Sequence, residues 1–133
     1  MIKLILVLIS FTGFSALAVN NHGDKVNDAT VASLIMGINS DNFGLRTSAA
    51  LMLGELKCEE AVIPLLHMLK SEEREDARIA AALALLKIGN AKGIFAIKQA
   101  IRFDQSDRVR RLCTNFYNSY IEKSSVIDLV AHR

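Results

Sequence analysis

Leu45-Arg46-Thr47-Ser48-Ala49-Ala50-Leu51-Met52-Leu53 is answered 32 residues later by Ala77-Arg78-Ile79-Ala80-Ala81-Ala82-Leu83-Ala84-Leu85. Both stretches place Arg, then Ala-Ala-Leu, then Leu at the same offsets. Ala49, Ala50, Leu53 and Leu56 fall at i, i+1, i+4 and i+7, which is one face of a helix. A second stripe follows in Val62, Leu65, Leu66 and Leu69. Carried forward by the same 32 residues, Arg78 reaches Arg110, Ala81 reaches Cys113, Leu85 reaches Tyr117, and Ile88 reaches Tyr120. The second stripe also repeats, Val62 on Ile94, Leu65 on Ile97 and Leu69 on Ile101. Two helical stripes per unit, at a period between 20 and 50 residues, predict an all-α solenoid of about three helix pairs.

The units can be drawn from this register. An unpaired first helix is expected from Asp24 to Ile38, with Val31, Leu34, Ile35 and Ile38 inward. It aligns with the second helix of a unit when one residue of the following loop is skipped. Helix pairs are expected over Phe43–Leu56 with Glu59–Lys70, and over Arg74–Ile88 with Ala91–Arg102. A last helix of the first type spans Asp107–Ile121, and Ser124–Val130 reads as a short closing helix with Ser124 or Ser125 as its N-cap. The breaks are marked by Asn39-Ser40-Asp41-Asn42, Gly89-Asn90 and Asp104-Gln105-Ser106-Asp107, which carry helix-stop and turn chemistry.

Leu45-Arg46 with Ala49-Ala50-Leu51, Ala77-Arg78 with Ala81-Ala82-Leu83, and Val109-Arg110 resemble the first-helix signature of HEAT repeats, in particular the short form of the lyase-like group. Glu60-Ala61-Val62-Ile63-Pro64-Leu65-Leu66 resembles the opening of that family's second helix. Pro is tolerated there because the first N–H groups of a helix lack an intrahelical acceptor. The resemblance covers about Ala29 to Ile121. It implies a right-handed α-solenoid whose second helices line a concave surface, and a binding scaffold for a protein or peptide partner. On that surface the expected row is Ile63, His67 and Lys70 in one unit, then Phe95, Gln99 and Arg102 in the next, with Lys98 in the place of Leu66. The same positions read equally as plain solvent-facing ones.

The 133 residues are 51% hydrophobic, with two Cys, one Pro and a net charge of +2. Length allows one domain, and the composition excludes a disordered tail or a disulfide scaffold. Residues 1–18 stand apart. Met1-Ile2-Lys3 is a short basic start, the run from Leu4 through Phe14 is largely apolar, and Ala16-Leu17-Ala18 is a small-x-small site. That is the layout of a secretory signal peptide with cleavage after Ala18, and it predicts a periplasmic or secreted protein. The competing reading is an uncleaved anchor, for which sixteen residues interrupted by Ser10, Thr12, Gly13 and Ser15 are short. The solenoid then occupies 19–123, with 124–133 as a cap or tail.

Charge divides along the chain. From Val19 to Asp76 there are 5 basic and 10 acidic residues; from Ala77 to Arg133 there are 10 basic and 4 acidic. The acidic run Glu72-Glu73-Arg74-Glu75-Asp76 suits a helix start. Arg108, Arg110 and Arg111 with Lys98 and Arg102 read either as a solvated face or as a docking patch for an acidic partner or anionic lipid. Arg46, Arg78 and Arg110 each follow a loop carboxylate, those of Asp41, of Glu72 or Glu73, and of Asp104. A guanidinium reaching its own loop's carboxylate and the next unit's would join successive turns in a ladder. Cys58 and Cys113 lie two layers apart, too far for a bridge. Cys113 replaces a core Ala and reads as a buried thiol, whereas Cys58 is expected in a loop, open to reaction or to pairing between chains.

Catalytic chemistry finds no constellation: His22, His67 and His132 are scattered, and no Cys-x-x-Cys or phosphate loop occurs. No cofactor is expected, nor a nucleic-acid partner. Enzyme accessory or chaperone-like roles, and a lyase-like action on a bound chromophore, remain the alternatives that the resemblance carries.

Overall fold

The computed structural model describes residues 27–131. The leader at 1–18, its cleavage point, the expected first helical residues Asp24–Val26, and the last two residues of the tail lie outside them. Among the described residues six α-helices follow one another: α1 (Asp28–Ile38), α2 (Phe43–Glu55), α3 (Val62–Ser71), α4 (Glu75–Ile88), α5 (Ala91–Phe103) and α6 (Asp107–Ala131). No strand occurs among the described residues.

Helix starts are written in short polar side chains. The Asn27, Asn42 and Asn90 side-chain oxygens accept from the N–H groups of Ala29, Leu45 and Lys92 at 3.0, 3.0 and 2.9 Å, and the Ser106 hydroxyl accepts from Val109. Each satisfies a donor that the helix leaves without a partner. Gly89 closes α4 at φ +75°, the left-handed position that glycine fills without a Cβ penalty. Lys57 closes α2 with φ +50°, and Cys58 and Lys57 donate back to the Leu53 and Gly54 carbonyls. This left-handed lysine carries no glycine signal in the sequence. A 3-10 turn, Glu59–Ala61, then leads into α3.

α2, α4 and α6 stack as the first-type layer, and α1, α3 and α5 pack one after another against α2, α4 and α6. The first-type layer is tight because its facing residues are small. A Cβ on Gly54 would lie 2.7 Å from Ala84 Cα, so α2 and α4 meet backbone to backbone. Ala77, Ala80, Ala81 and Ala84 of α4 are all buried in this layer. Leu53, Leu65, Leu85, Ile97, Val109 and Cys113 fill the space between layers and are the largest fully buried side chains. Burial of such residues is the main force holding the stack. The second-type helices, by contrast, touch one another only lightly.

Two sequence expectations are corrected here. α6 runs unbroken for 25 residues, so Ser124–Val130 is no separate capped helix. The Ser124 and Ser125 hydroxyls donate back to the Tyr120 and Glu122 carbonyls within the helix, which replaces capping by in-helix bonding. Cys58 is buried, not open in a loop, and its thiol donates to the Glu60 carboxylate at 3.1 Å. Burial first, and that carboxylate second, push its pKa up, the opposite of an activated thiol.

Cys113 is fully buried, and desolvation, helped by the charge of Asp104, pushes its thiol up to about 11. The folded state therefore holds this proton more tightly than the unfolded chain does. Its contribution to stability is complete below the unfolded thiol's pKa and is lost as pH rises through that value towards about 11. Cys113→Ala, which restores the residue of the equivalent positions 49 and 81, is expected to lose less stability than the native chain between pH 8 and pH 11. Urea unfolding at those two pH values checks it, and identical slopes in both proteins would refute it.

Candidate functional site

Loose packing of the second-type helices leaves a groove between α3 and α5, of about 1100 Å³. Its walls are built by helix periodicity: Ile63, Leu66, His67 and Lys70 line one side, and Lys92, Phe95, Ala96, Gln99 and Phe103 the other. Ile63, Phe95 and Phe103 are 62%, 61% and 73% exposed, an unusual state for large apolar side chains placed side by side. The lining is mainly apolar, with Lys70 and Lys92 as its cations. Asp104 at one end is already held by Arg78.

Of the seven residues expected in the row, Ile63, His67, Lys70, Phe95 and Gln99 do meet in this groove. Lys98 and Arg102 do not. Leu66 faces α5, but Lys98, one unit on, faces the place where no further second-type helix follows among the described residues. Its ammonium lies 5.6 Å from the Tyr117 ring of α6. Arg102 lies 5.9 Å from the Phe103 ring. Phe103 and Lys92 were missed by sequence reading because each has no counterpart of its own kind one unit earlier, where Ser71 and Glu60 stand.

The basic group at the C-terminal end is not a continuous free patch. Arg108 reaches across to α4, 2.7 Å from Asp76 and 3.7 Å from Glu75. Arg110 donates to the Asp104 carbonyl and pairs with Asp107. Arg111 stays exposed. The acidic and basic halves of the chain thus meet each other at the unit boundary, as do Lys87 with Glu55 and Asn90 with Glu59. Exposed pairs of this kind contribute little each.

The arginine series is deeper. Arg46 lies 2.9 Å from Glu72, and Arg78 makes two parallel bonds to Asp104 at 2.8 and 2.9 Å. Both partners stand 26 residues ahead. The remaining guanidinium nitrogen turns back to the arginine's own loop, Arg46 to the Ser40 and Asp41 carbonyls and Arg78 to those of Glu72 and Glu73. Asp41 therefore enters through its carbonyl, and the carboxylate expected in that role takes no part. Carbonyls left over at a helix end need donors, and a guanidinium fork supplies them while pairing with the next carboxylate. Arg110 keeps the backward bond but pairs with Asp107 of its own helix, since no further unit follows among the described residues.

Stacked helix pairs joined by this repeated Arg and carboxylate contact are the local architecture of one repeat family, and the model of HEAT repeats matches residues 22–115. The chain belongs to the HEAT-repeat family. A search of curated proteins gives no match. HEAT repeats commonly serve as protein-interaction scaffolds.

Ser71, outside the groove lining, donates to the carbonyl of His67 at 2.7 Å, and its oxygen also lies 3.2 Å from that histidine's Nδ1. Among the described residues no three His, Cys, Asp or Glu side chains are placed to hold a metal. No described helix is long and apolar enough to cross a membrane.

Proposed function

We propose that this HEAT chain is an exported interaction module that receives an apolar helix or peptide of a protein partner in the α3–α5 groove. The observation that carries the reading is the side-by-side exposure of Ile63, Phe95 and Phe103 in one open groove. An amphipathic segment laid there would bury its apolar side on these three and place acidic flanks against Lys70 and Lys92. Arg111 remains available to an acidic partner or an anionic membrane surface; Arg108 and Arg110 are engaged within the chain. An accessory role beside an envelope enzyme would use the same groove, with the enzyme as the bound partner.

A photo-reactive amino acid placed at Phe95 in living cells tests the reading. A discrete crosslinked band, lost when Ile63→Glu is added, is expected, whereas an equal band from a probe at Arg111 would count against a groove. Export rests on Met1–Ala18 and is tested separately by the mass of the protein recovered from cells. Loss of 18 residues is expected, and an intact Met1 in an envelope fraction would favour the anchor.

A further inference from the structure

The last ten described residues of α6, Glu122–Ala131, lie beyond Tyr120, the last residue packed against the core, and all but Ser124 are exposed. Val126, Ile127, Leu129 and Val130 are 57–72% exposed there. A ten-residue helix is marginal in water when it has no partner, and four large apolar side chains in five positions make this one costlier still to leave bare. The same molecule carries the bare α3–α5 groove.

We propose that a second copy of the chain seats its α6 tail in this groove and receives the first copy's tail in return. The inference rests on the groove reading above and names its partner. Two observations support the fit. Ten helical residues extend about 15 Å, the length of the ten-residue α3 and somewhat less than the thirteen-residue α5 that form the walls. The tail's apolar side chains match Ile63, Phe95 and Phe103 in kind.

The chain's own groove does not take the tail, because the tail side chains are exposed. α5 and α6 are joined by only three residues and run antiparallel, so α6 carries its end outward past the start of α5. Two copies placed antiparallel, related by a twofold axis perpendicular to their helices, bring each projecting tail alongside the other's body. Such an interface is isologous and closes at a dimer. A standard stable interface covers roughly 800 Å² per partner; two tails and two grooves enter this one.

Sedimentation of the protein, purified in the form its cells keep it, between 1 and 100 µM tests the exchange. Twice the monomer mass is expected for the native chain, and a monomer for each of three variants: Phe95→Glu, Leu129→Asp, and a chain ending at Lys123. These side chains are exposed within one copy, so the monomeric variants are expected to keep the helical circular dichroism and cooperative melting of a folded chain, with a melting temperature that no longer rises with protein concentration as the native dimer's does. Mixing Phe95→Glu with the chain ending at Lys123 restores one tail and one groove, and a mixed dimer is expected. A fluorescent peptide of residues 121–133 should bind the shortened chain and lose binding at least tenfold on Phe95→Glu. A monomeric native chain, or a dimer that survives all three variants, overturns the exchange. A monomer in which the Phe95 probe still traps a different protein overturns it while leaving the groove reading intact.

Discussion

Arg78→Ala is expected to lower stability by about 3–5 kcal/mol, the cost of removing one partner from a buried, hydrogen-bonded ion pair. The Arg78 and Asp104 side chains are only 4% and 7% exposed. The substitution strips Asp104 of two charged donors and the Glu72 and Glu73 carbonyls of theirs, leaving the Ser106 N–H as the hydrogen-bond donor that Asp104 keeps. For a domain of this size the melting temperature falls by about 4–8 °C per kcal/mol, so a drop above about 12 °C is expected. Arg46→Ala is the internal comparison. Its pair with Glu72 is 18% and 20% exposed, and about 1 kcal/mol is expected there. Combining Arg78→Ala with Asp104→Asn should recover part of the loss, because the orphaned charge is then removed. Equal, small effects at both arginines would refute the view that these contacts hold successive units together.

Gly54→Leu is expected to cost about 3 kcal/mol or to prevent folding, by forcing α2 and α4 apart. What a side chain would meet is the Ala84 main chain, at 2.7 Å from the first added carbon, and main chain does not turn aside as a flexible side chain does. Gly54→Ala gives the sharper reading. In an open helix this change stabilises by about 1 kcal/mol through propensity, so a loss of stability on Gly54→Ala would measure the close approach directly. A gain of that size would show that the layer has room and that the spacing of the first helices is not set here.

Much of the architecture was legible before any coordinates. The arginines at 46, 78 and 110 and the Ala-Ala pairs after the first two set the unit, and Asn42, Gly89 and Asn90 lie where helices stop or start. The reason is that helix periodicity and capping act within a few residues along the chain. The same locality explains the failures. Ser124-Ser125 looks like a helix start in isolation, but hydroxyls bonding to their own helix serve a continuing one equally well. Cys58 follows a lysine in a left-handed turn that no glycine announces, and the turn carries it into the interior.

For the groove, five of the seven expected residues follow from the helix stripe, since each unit presents the same face. Lys98 and Arg102 departed because no second-type helix follows α5 among the described residues, and their cations lie near the Tyr117 and Phe103 rings. The division of charge between the two halves was countable in the sequence, but its meaning was not. Arg108 with Asp76 and Lys87 with Glu55 stand 32 residues apart and become neighbours only when one unit lies on the next.

The sequence by itself therefore determined five of the six described helices and the start of the sixth, their order and their apolar stripes, because those properties arise from spacing and from side chains acting on adjacent backbone. Only the tertiary structure decided which charges pair, that Cys58 is shielded, that the second-type helices part to open a groove, and that α6 continues bare into solvent. Those outcomes depend on how closely whole helices approach. At Gly54 and Ala84 that distance is fixed by the absence of a single carbon, which brings one layer into backbone contact while its companion stays open.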